Sequence, residues 1–129
     1  MTRKIPLCPV RIRTVPPHFS WVDHRLVRDH YLEELSHEAC ALYLFLVTVA
    51  DSLGLSYYSD EAISRRLAMV HATLVVARTH LRTAGLIAYK KPLYQVLSLD
   101  AALPAKSDLA AILMDGSPDG LQEAPHDRL

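Results

Sequence analysis

The longest apolar run of the chain extends from Ala39 to Ala50 and is interrupted only by Thr48. A helix that is apolar on nearly every side is typical of a segment buried against several neighbours. Ser36 precedes the run as a candidate N-cap, and Glu38 suits the positive end of the helix dipole. We therefore predict a central helix. Because each fully buried Leu, Phe or Val side chain contributes roughly 1.5 to 3 kcal/mol, this helix could supply much of the folding free energy.

Two amphipathic helical patterns, separated by a short turn at residues 68–70, follow this run. The first begins at Ser59, whose hydroxyl can accept a hydrogen bond from an amide of the first helical turn. Its inward positions are apolar: Ala62, Ile63 and Leu67. Its outward or flanking positions are polar: Ser64, Arg65 and Arg66. This alternation predicts a short helix with one buried side.

The second pattern starts at His71 and ends at Gly85, because glycine readily adopts the left-handed conformation that often follows a helix. Its apolar stripe consists of Leu74, Ala77, Leu81 and Ala84. A rotation of about 100 degrees per residue turns the other positions away from the core. The positions opposite the stripe are Ala72, Val75, Val76, Thr79 and Thr83, with His71, Arg78 and Arg82 along one flank.

Strand patterns lie on both sides of this pair of helices. Residues 86–89 and 94–99 are predicted as strands joined by a turn at 90–93, where Pro92 cannot donate to a ladder. Residues 55–58 supply a further strand that would complete a three-stranded sheet with this hairpin. The predicted fold class is mainly α with a small antiparallel β-sheet, an α+β winged helix-turn-helix.

The residues of this region resemble those of a known family. The residues that carry the likeness are Leu67-Ala68-Met69-Val70, Thr73-Leu74, Leu81 and Gly85-Leu86-Ile87, preceded by Ser36, Phe45, Ala50-Asp51, Gly54, Ser56 and Ser59. They resemble bacterial winged helix-turn-helix domains, especially those of plasmid and phage replication initiators and primosomal proteins. Ala68 and Val70 stand where that family usually has glycine and serine. The resemblance implies a DNA-binding protein that serves replication, a mobile element or transcriptional regulation.

Composition divides the chain into three parts. Residues 1–18 are basic and Pro-rich, which predicts an extended arm, since proline disfavours helix at its own position and at the one before. This arm could reach along a DNA backbone, although a solvated or packed terminal segment is the interpretation we favour. Residues 19–99 form the winged helix-turn-helix domain. Residues 100–129 form an acidic tail, in which 107–114 could be a short helix that packs on the domain or on a second copy.

The start of the domain is predicted to close the core. Ser20 and Asp23 are placed as in a capping box, so a short helix is expected from there to about Asp29. On this helix the apolar side chains would cover the core: Trp21, Val22, Leu26 and Val27.

Charge is balanced in total but unevenly placed. The 129 residues include 14 Lys or Arg and 14 Asp or Glu, which gives a formal net charge of zero. Residues 60–91 hold six bases and two acids, whereas residues 92–129 hold two bases and six acids. A local positive face over the helix-turn-helix is therefore compatible with a neutral chain.

Several classes of site are not predicted. Cys8 and Cys40 lack metal-ligand or disulfide spacing, which favours free thiols in a reducing cytoplasm. No signal sequence is apparent, and the apolar run is shorter than the roughly 20 residues needed to cross a bilayer. No phosphate-cradling loop, nucleophile motif or metal-ligand pair is present, so we expect a cytoplasmic protein without catalytic residues, metal or cofactor.

The predicted DNA contacts come from both helices of the motif and from the wing. They are Arg65, Arg66, His71, Val75, Arg78, Thr79, Arg82, Lys90 and Lys91. Basic side chains of the first helix and the wing would hold phosphates, and Arg78 and Arg82 could hold phosphates or guanine. Val75 and Thr79 could touch thymine methyl groups. The expected partner is double-stranded DNA.

The outward face of the second helix also permits a hypothesis of a different class. Ala72, Val75 and Val76 form a contiguous apolar patch, and no Asn or Gln stands in its middle to read bases. Such a patch is equally typical of a protein interface. A homodimer or another protein partner held by helix 71–84 is therefore the alternative to DNA binding.

Overall fold

The computed structural model of the chain describes residues 3–99. The helices are α1 (Arg25–Arg28), α2 (His37–Val49), α3 (Asp60–Leu67) and α4 (His71–Thr83). The strands are β1 (Leu55–Tyr57), β2 (Ile87–Lys90) and β3 (Leu93–Val96), and 3-10 turns occur at Pro9–Arg11 and Leu32–Glu34. These elements confirm the α+β class and a winged-helix-like fold. The predicted tail and its helix at 107–114 lie outside the described residues.

Helix α2 is the central helix that the apolar run predicts. The hydroxyl of Ser36 accepts a hydrogen bond from the amide of Ala39 at 3.0 Å, which caps the first turn. Its buried residues are Ala39, Leu42, Tyr43, Leu46 and Val47. One side of the helix is open, because the side chains of Leu44 and Thr48 are exposed. The burial of α2 is therefore broad but not complete.

Helices α3 and α4 form the predicted helix-turn-helix. Ser59 caps α3 through a hydrogen bond from the amide of Ala62 at 3.1 Å. Ala68 occupies the left-handed region, with φ 54° and ψ 46°, and its position reverses the chain between the two helices. The conformation explains why glycine is common at such a position, since an L side chain adopts it only with strain. Helix α4 starts after Val70, which provides no side-chain cap.

The three strands form one antiparallel sheet in the order β1-β3-β2. Tyr94 at the centre of β3 pairs with Ser56 on one side and Tyr89 on the other. The hairpin turn lies against the chain before α3, because the amide of Tyr58 donates to the carbonyl of Pro92 at 3.2 Å. The predicted strand 55–58 and the hairpin are thus confirmed, although β1 and β3 are shorter than expected and β2 is shifted by one residue. The turn is therefore 91–92 rather than the predicted 90–93.

The core lies between α2, α4 and the inner face of the sheet. Its fully buried large side chains are Leu42, Leu46, Ile63, Leu74, Leu81, Leu86, Ile87 and Tyr94. All but Tyr94 are aliphatic, so the phenol hydroxyl of Tyr94 needs a polar partner within the core. That partner comes from α4.

The start of the domain differs from the prediction. Trp21 is 75% exposed, and Val22 and Val27 are exposed as well; of the four apolar residues expected to cover the core, Leu26 alone is buried. Helix α1 starts only after Asp23, whose carboxylate accepts a hydrogen bond from the amide of Arg25 at 2.9 Å. The N-cap position of α1 is His24, and residues 19–22 have no regular secondary structure and are exposed outside the core.

Residues 3–18 are exposed throughout and contain one 3-10 turn, at Pro9–Arg11. Between residues 3 and 99 no helix has the length and apolar character needed to span a membrane.

Candidate nucleic-acid interface

Helix α4 presents its predicted outer face to solvent. The burial of Leu74, Ala77 and Leu81 fixes the rotation of the helix about its own axis. The opposite side chains are all exposed, as their spacing predicts: Ala72, Val75, Val76, Thr79 and Thr83. Val76 is 67% exposed, so the apolar patch on this face is covered by nothing within residues 3–99.

The structure corrects the predicted position of Arg78. Its residue is only 8% exposed, and it lies on the inner side of α4 rather than on an open flank. One guanidinium nitrogen, Nη1, donates to Asp60 Oδ1 at 2.8 Å and to the Tyr94 hydroxyl at 2.8 Å. The guanidinium carbon also lies 4.3 Å from the centroid of the Tyr89 ring. Arg78 therefore joins α3, α4 and both strands of the hairpin.

The helical spacing of Arg78 from its neighbours on α4 predicts that its side chain lies on the inner face of the helix. Position 78 follows Leu74 by four residues and precedes Leu81 by three, so the three side chains share one face of α4. A charged residue on that face requires partners, because an unpaired buried charge is strongly destabilising. Asp60 and Tyr94 are those partners. Their pairing with Arg78 depends on the tertiary fold, so the sequence pattern does not predict it.

The ionisation of this network follows from its geometry. The hydrogen bond from Arg78 lowers the pKa of Asp60, with further contributions from the charges of His71 and Lys91. Burial raises the pKa of Tyr94 to about 12, which outweighs the opposing effect of the hydrogen bond from Arg78. Burial alone would lower the pKa of Arg78, but its bonds to Asp60 and Tyr94 raise it. At neutral pH the network is a charged Arg–Asp pair beside a neutral phenol.

The exposed cations are distributed around the start of α4. Arg65 and Arg66 are exposed on α3, and Lys90 and Lys91 are exposed at the hairpin turn. His71 is also exposed, and its Nδ1 lies 3.7 Å from Asp60 Oδ2. A shallow groove at this point is lined by Asp60, Glu61, Ser64, Arg65 and His71.

The structure brings part of the predicted set together. Arg65 and His71 line the groove, and Lys91 is near enough for its charge to lower the pKa of Asp60. Arg82 is half-buried, and its guanidinium carbon lies 5.9 Å from the Tyr89 ring centroid, beside the wing. Val75 and Thr79 lie on the open face of α4. Of the nine predicted contacts, Arg78 is the one that the described structure buries.

Within residues 3–99, no group of three or more His, Cys, Asp or Glu side chains is placed to hold a metal ion. Cys8 is exposed and Cys40 is half-buried, and both are free thiols. Comparisons with protein-family models, curated proteins and solved structures each find no match to this chain. The function is therefore inferred from the geometry of the interface.

Proposed function

We propose that this protein binds double-stranded DNA without catalysis, with α4 in the major groove and the β2–β3 turn against the adjacent backbone. The observation that carries the proposal is the set of exposed cations around the first turn of α4. Arg65 from α3 and His71 from α4 line one groove with Asp60, and Lys91 from the wing is near enough for its charge to act on the Asp60 carboxyl. In helix-turn-helix proteins these positions lie beside the groove, where basic side chains neutralise phosphates.

The exposed face of α4 limits how much sequence this protein could read. Arg78 is already bonded to Asp60 and Tyr94, so it is not available as a bidentate reader of guanine. Val75, Val76 and Thr79 can make apolar contacts with thymine methyl groups. Affinity should therefore come mainly from phosphate contacts, with modest sequence preference. Such a protein fits replication, a mobile element or transcriptional regulation in the cytoplasm, where its free thiols would remain reduced.

The test is a titration of a fluorescently labelled duplex, followed by anisotropy at several salt concentrations. The wild-type protein should bind with an affinity that falls steeply as salt rises, because each phosphate contact releases counterions. The variant Arg65→Glu, Arg66→Glu, Lys91→Glu removes three exposed cations of the interface. We expect it to lose binding, and neutral replacements at the same positions should lower the logarithmic salt slope by about one per lost contact.

The variant Arg11→Glu, Arg13→Glu, Arg28→Glu is the matched control, since it reverses the same number of exposed charges at positions outside the helix-turn-helix. It should retain most of the affinity. Equal loss in the control and the interface variant would indicate nonspecific attraction to any basic surface. Absence of binding by the wild-type protein at low salt would overturn the proposal.

A second candidate function is self-association through the outer face of α4. It is favoured by one observation: the large apolar side chains of the adjacent residues Val75 and Val76 are both exposed on this helix. Sedimentation velocity would detect a dimer, and Val75→Ser, Val76→Ser should dissociate it while leaving the cations in place. Under the DNA proposal the same variant loses apolar contacts with bases but keeps the cations that contact phosphates. Its salt-dependent binding to a duplex should therefore persist, which separates the two functions.

A further inference from the structure

A second exposed apolar surface lies on the other part of the domain, before the helix-turn-helix. We define the Trp21 surface as the exposed apolar side chains of residues 19–27, which are Phe19, Trp21, Val22 and Val27. Trp21 is 75% exposed, although tryptophan carries more apolar area than any other side chain of this segment. A cluster of large exposed apolar groups is typical of a surface that another segment or protein covers.

The Trp21 surface is held in place at both ends. The Ser20 hydroxyl donates to the carbonyl of Thr48 at 3.3 Å, which attaches the segment to α2. Asp23 forms an ion pair with Arg25 at 2.7 Å, and the amide of Leu26 donates to the carbonyl of Asp23. Leu26 is buried in the core. The apolar side chains are thus presented from an anchored segment.

The chain beyond the described residues starts beside this surface. The carbonyl of Leu99 accepts a hydrogen bond from Arg25 Nη1 at 3.1 Å, and Arg25 lies within the segment that forms the Trp21 surface. Residues 100–129 therefore continue from a point adjacent to it. Seven residues, 100–106, separate Leu99 from the apolar stretch at 107–114. An extended chain of that length reaches at most about 25 Å, which is enough to return to a surface next to its start.

The composition of residues 100–129 suits them to cover the Trp21 surface. The stretch 107–114 contains four large apolar residues: Leu109, Ile112, Leu113 and Met114. Residues 100–129 carry six acids and two Lys or Arg, whereas residues 3–28 carry six Lys or Arg and one acid. This opposite charge belongs to the flanking chain, since 107–114 has one acid, Asp108, and residues 19–27 have only the Asp23–Arg25 pair. The contact between the stretch and the surface would therefore be held by apolar groups that each buries against the other.

We propose that residues 107–114 of the same chain dock on the Trp21 surface. The connection is short, so the local concentration of this stretch at the surface is of millimolar order. A second copy at micromolar protein concentration competes poorly with a segment attached in this way. The docked tail completes the apolar cover that the residues around Trp21 do not provide by themselves.

The full-length protein contains a suitable reporter, because Trp21 is its one tryptophan. Quenching of its fluorescence by acrylamide is measured in the folded protein and in the same protein unfolded in urea. A docked tail should make the quenching constant of the folded protein several times smaller. The variant Leu109→Asp, Leu113→Asp should raise the folded-state constant about twofold or more, because two carboxylates without partners would release the stretch from an apolar contact.

Leu121→Asp is the matched control, since it makes the same substitution in the tail outside 107–114. It should leave quenching unchanged, and circular dichroism should show that all variants keep the helices of the domain. Similar quenching constants for folded and unfolded wild-type protein would overturn the proposal without the need for any variant. Protection of Trp21 that appears only as protein concentration rises would also overturn it, since a second copy would then be the occupant.

Discussion

Helices α2 and α4 have the same length, 13 residues, and pack against each other, yet they contribute to the fold in different ways. The residues that α2 buries are apolar or aromatic, from Ala39 to Val47. Helix α4 buries three apolar residues and one arginine, Arg78. The first helix supplies buried area, which has no direction. The second also supplies hydrogen bonds, which fix its orientation to its neighbours.

The elements joined by Arg78 are those of the proposed interface. Asp60 starts α3, Tyr94 is at the centre of β3, and Tyr89 on β2 lies under the guanidinium. The polar network therefore sets the outer face of α4 at a fixed angle to the wing. We expect variants of α2 to change stability alone, and variants of the Arg78 network to change the geometry of the interface as well.

We expect the largest loss of stability when a buried apolar side chain of α2 is truncated. Leu46→Ala removes most of a fully buried side chain of α2 and should lower the free energy of unfolding by about 2 to 5 kcal/mol. Urea denaturation measures the change. Leu44→Ala, an exposed position on the same helix, should cost less than about 0.5 kcal/mol. Equal losses at the two positions would contradict the placement of α2 in the core.

Removal of the Arg78 guanidinium should also lower the free energy of unfolding, by an amount comparable to but smaller than that for Leu46→Ala. Arg78→Met keeps the aliphatic part of the side chain, leaves Asp60 without its closest cation, and should cost about 3 kcal/mol. The double variant Arg78→Met, Asp60→Asn should recover part of this loss, since no charge is then left unpaired. Arg65→Met, at an exposed position of α3, is the control. If Arg78→Met were as stable as this control, the network would contribute nothing to the fold.

These two regions also differ in how far the sequence predicts them. The start and burial of α2 follow from local information, since Ser36 and the apolar run lie within a few turns of each other. The partners of Arg78 are 18 and 16 residues away, and only the tertiary fold brings them together. The spacing from Leu74 places Arg78 on the inner face, but spacing alone does not identify what would neutralise it.

At the Trp21 surface the local sequence pattern led to a wrong prediction. An apolar pattern after Ser20 predicts a helix that covers the core, yet the structure buries only Leu26 of its four apolar residues. Hydrophobicity indicates that a side chain favours burial, but it does not identify the surface against which the side chain packs. The alternating burial of α4 was predictable, because Leu74, Ala77 and Leu81 repeat over two turns. Helix α1 has a single turn, so its pattern gives no comparable constraint.

A buried phenol gives both regions a dependence on alkaline pH, because burial raises the pKa of Tyr43 on α2 as well as that of Tyr94 in the polar network. Burial raises the pKa of Tyr94 from 10.0 to about 12, so the folded state favours the neutral phenol. Its contribution is complete below pH 10 and is lost as pH rises through about 12, with a total of roughly 2 to 3 kcal/mol. Urea midpoints measured between these pH values should fall steeply for the wild-type protein. The urea midpoint of Tyr94→Phe should fall less over the same pH range. If the midpoints of both proteins fell equally with pH, Tyr94 would not be the source of the pH dependence.

We expect the smallest change in stability at the N-cap positions of α2 and α4. Ser36 caps α2 with its side chain, whereas Val70 cannot cap α4. Ser36 and Val70 have nearly the same backbone, with φ and ψ of −71° and 162° against −76° and 158°. A serine at position 70 could therefore accept the amide of Thr73, as Ser36 accepts the amide of Ala39 at 3.0 Å. Val70→Ser should raise the free energy of unfolding by about 1 kcal/mol, and Ser36→Val should lower it by a similar amount. Thermal denaturation of both variants measures the pair. If serine at 70 gave no gain while valine at 36 gave a loss, the start of α4 would be held by its contacts with α3 and the wing rather than by its own cap.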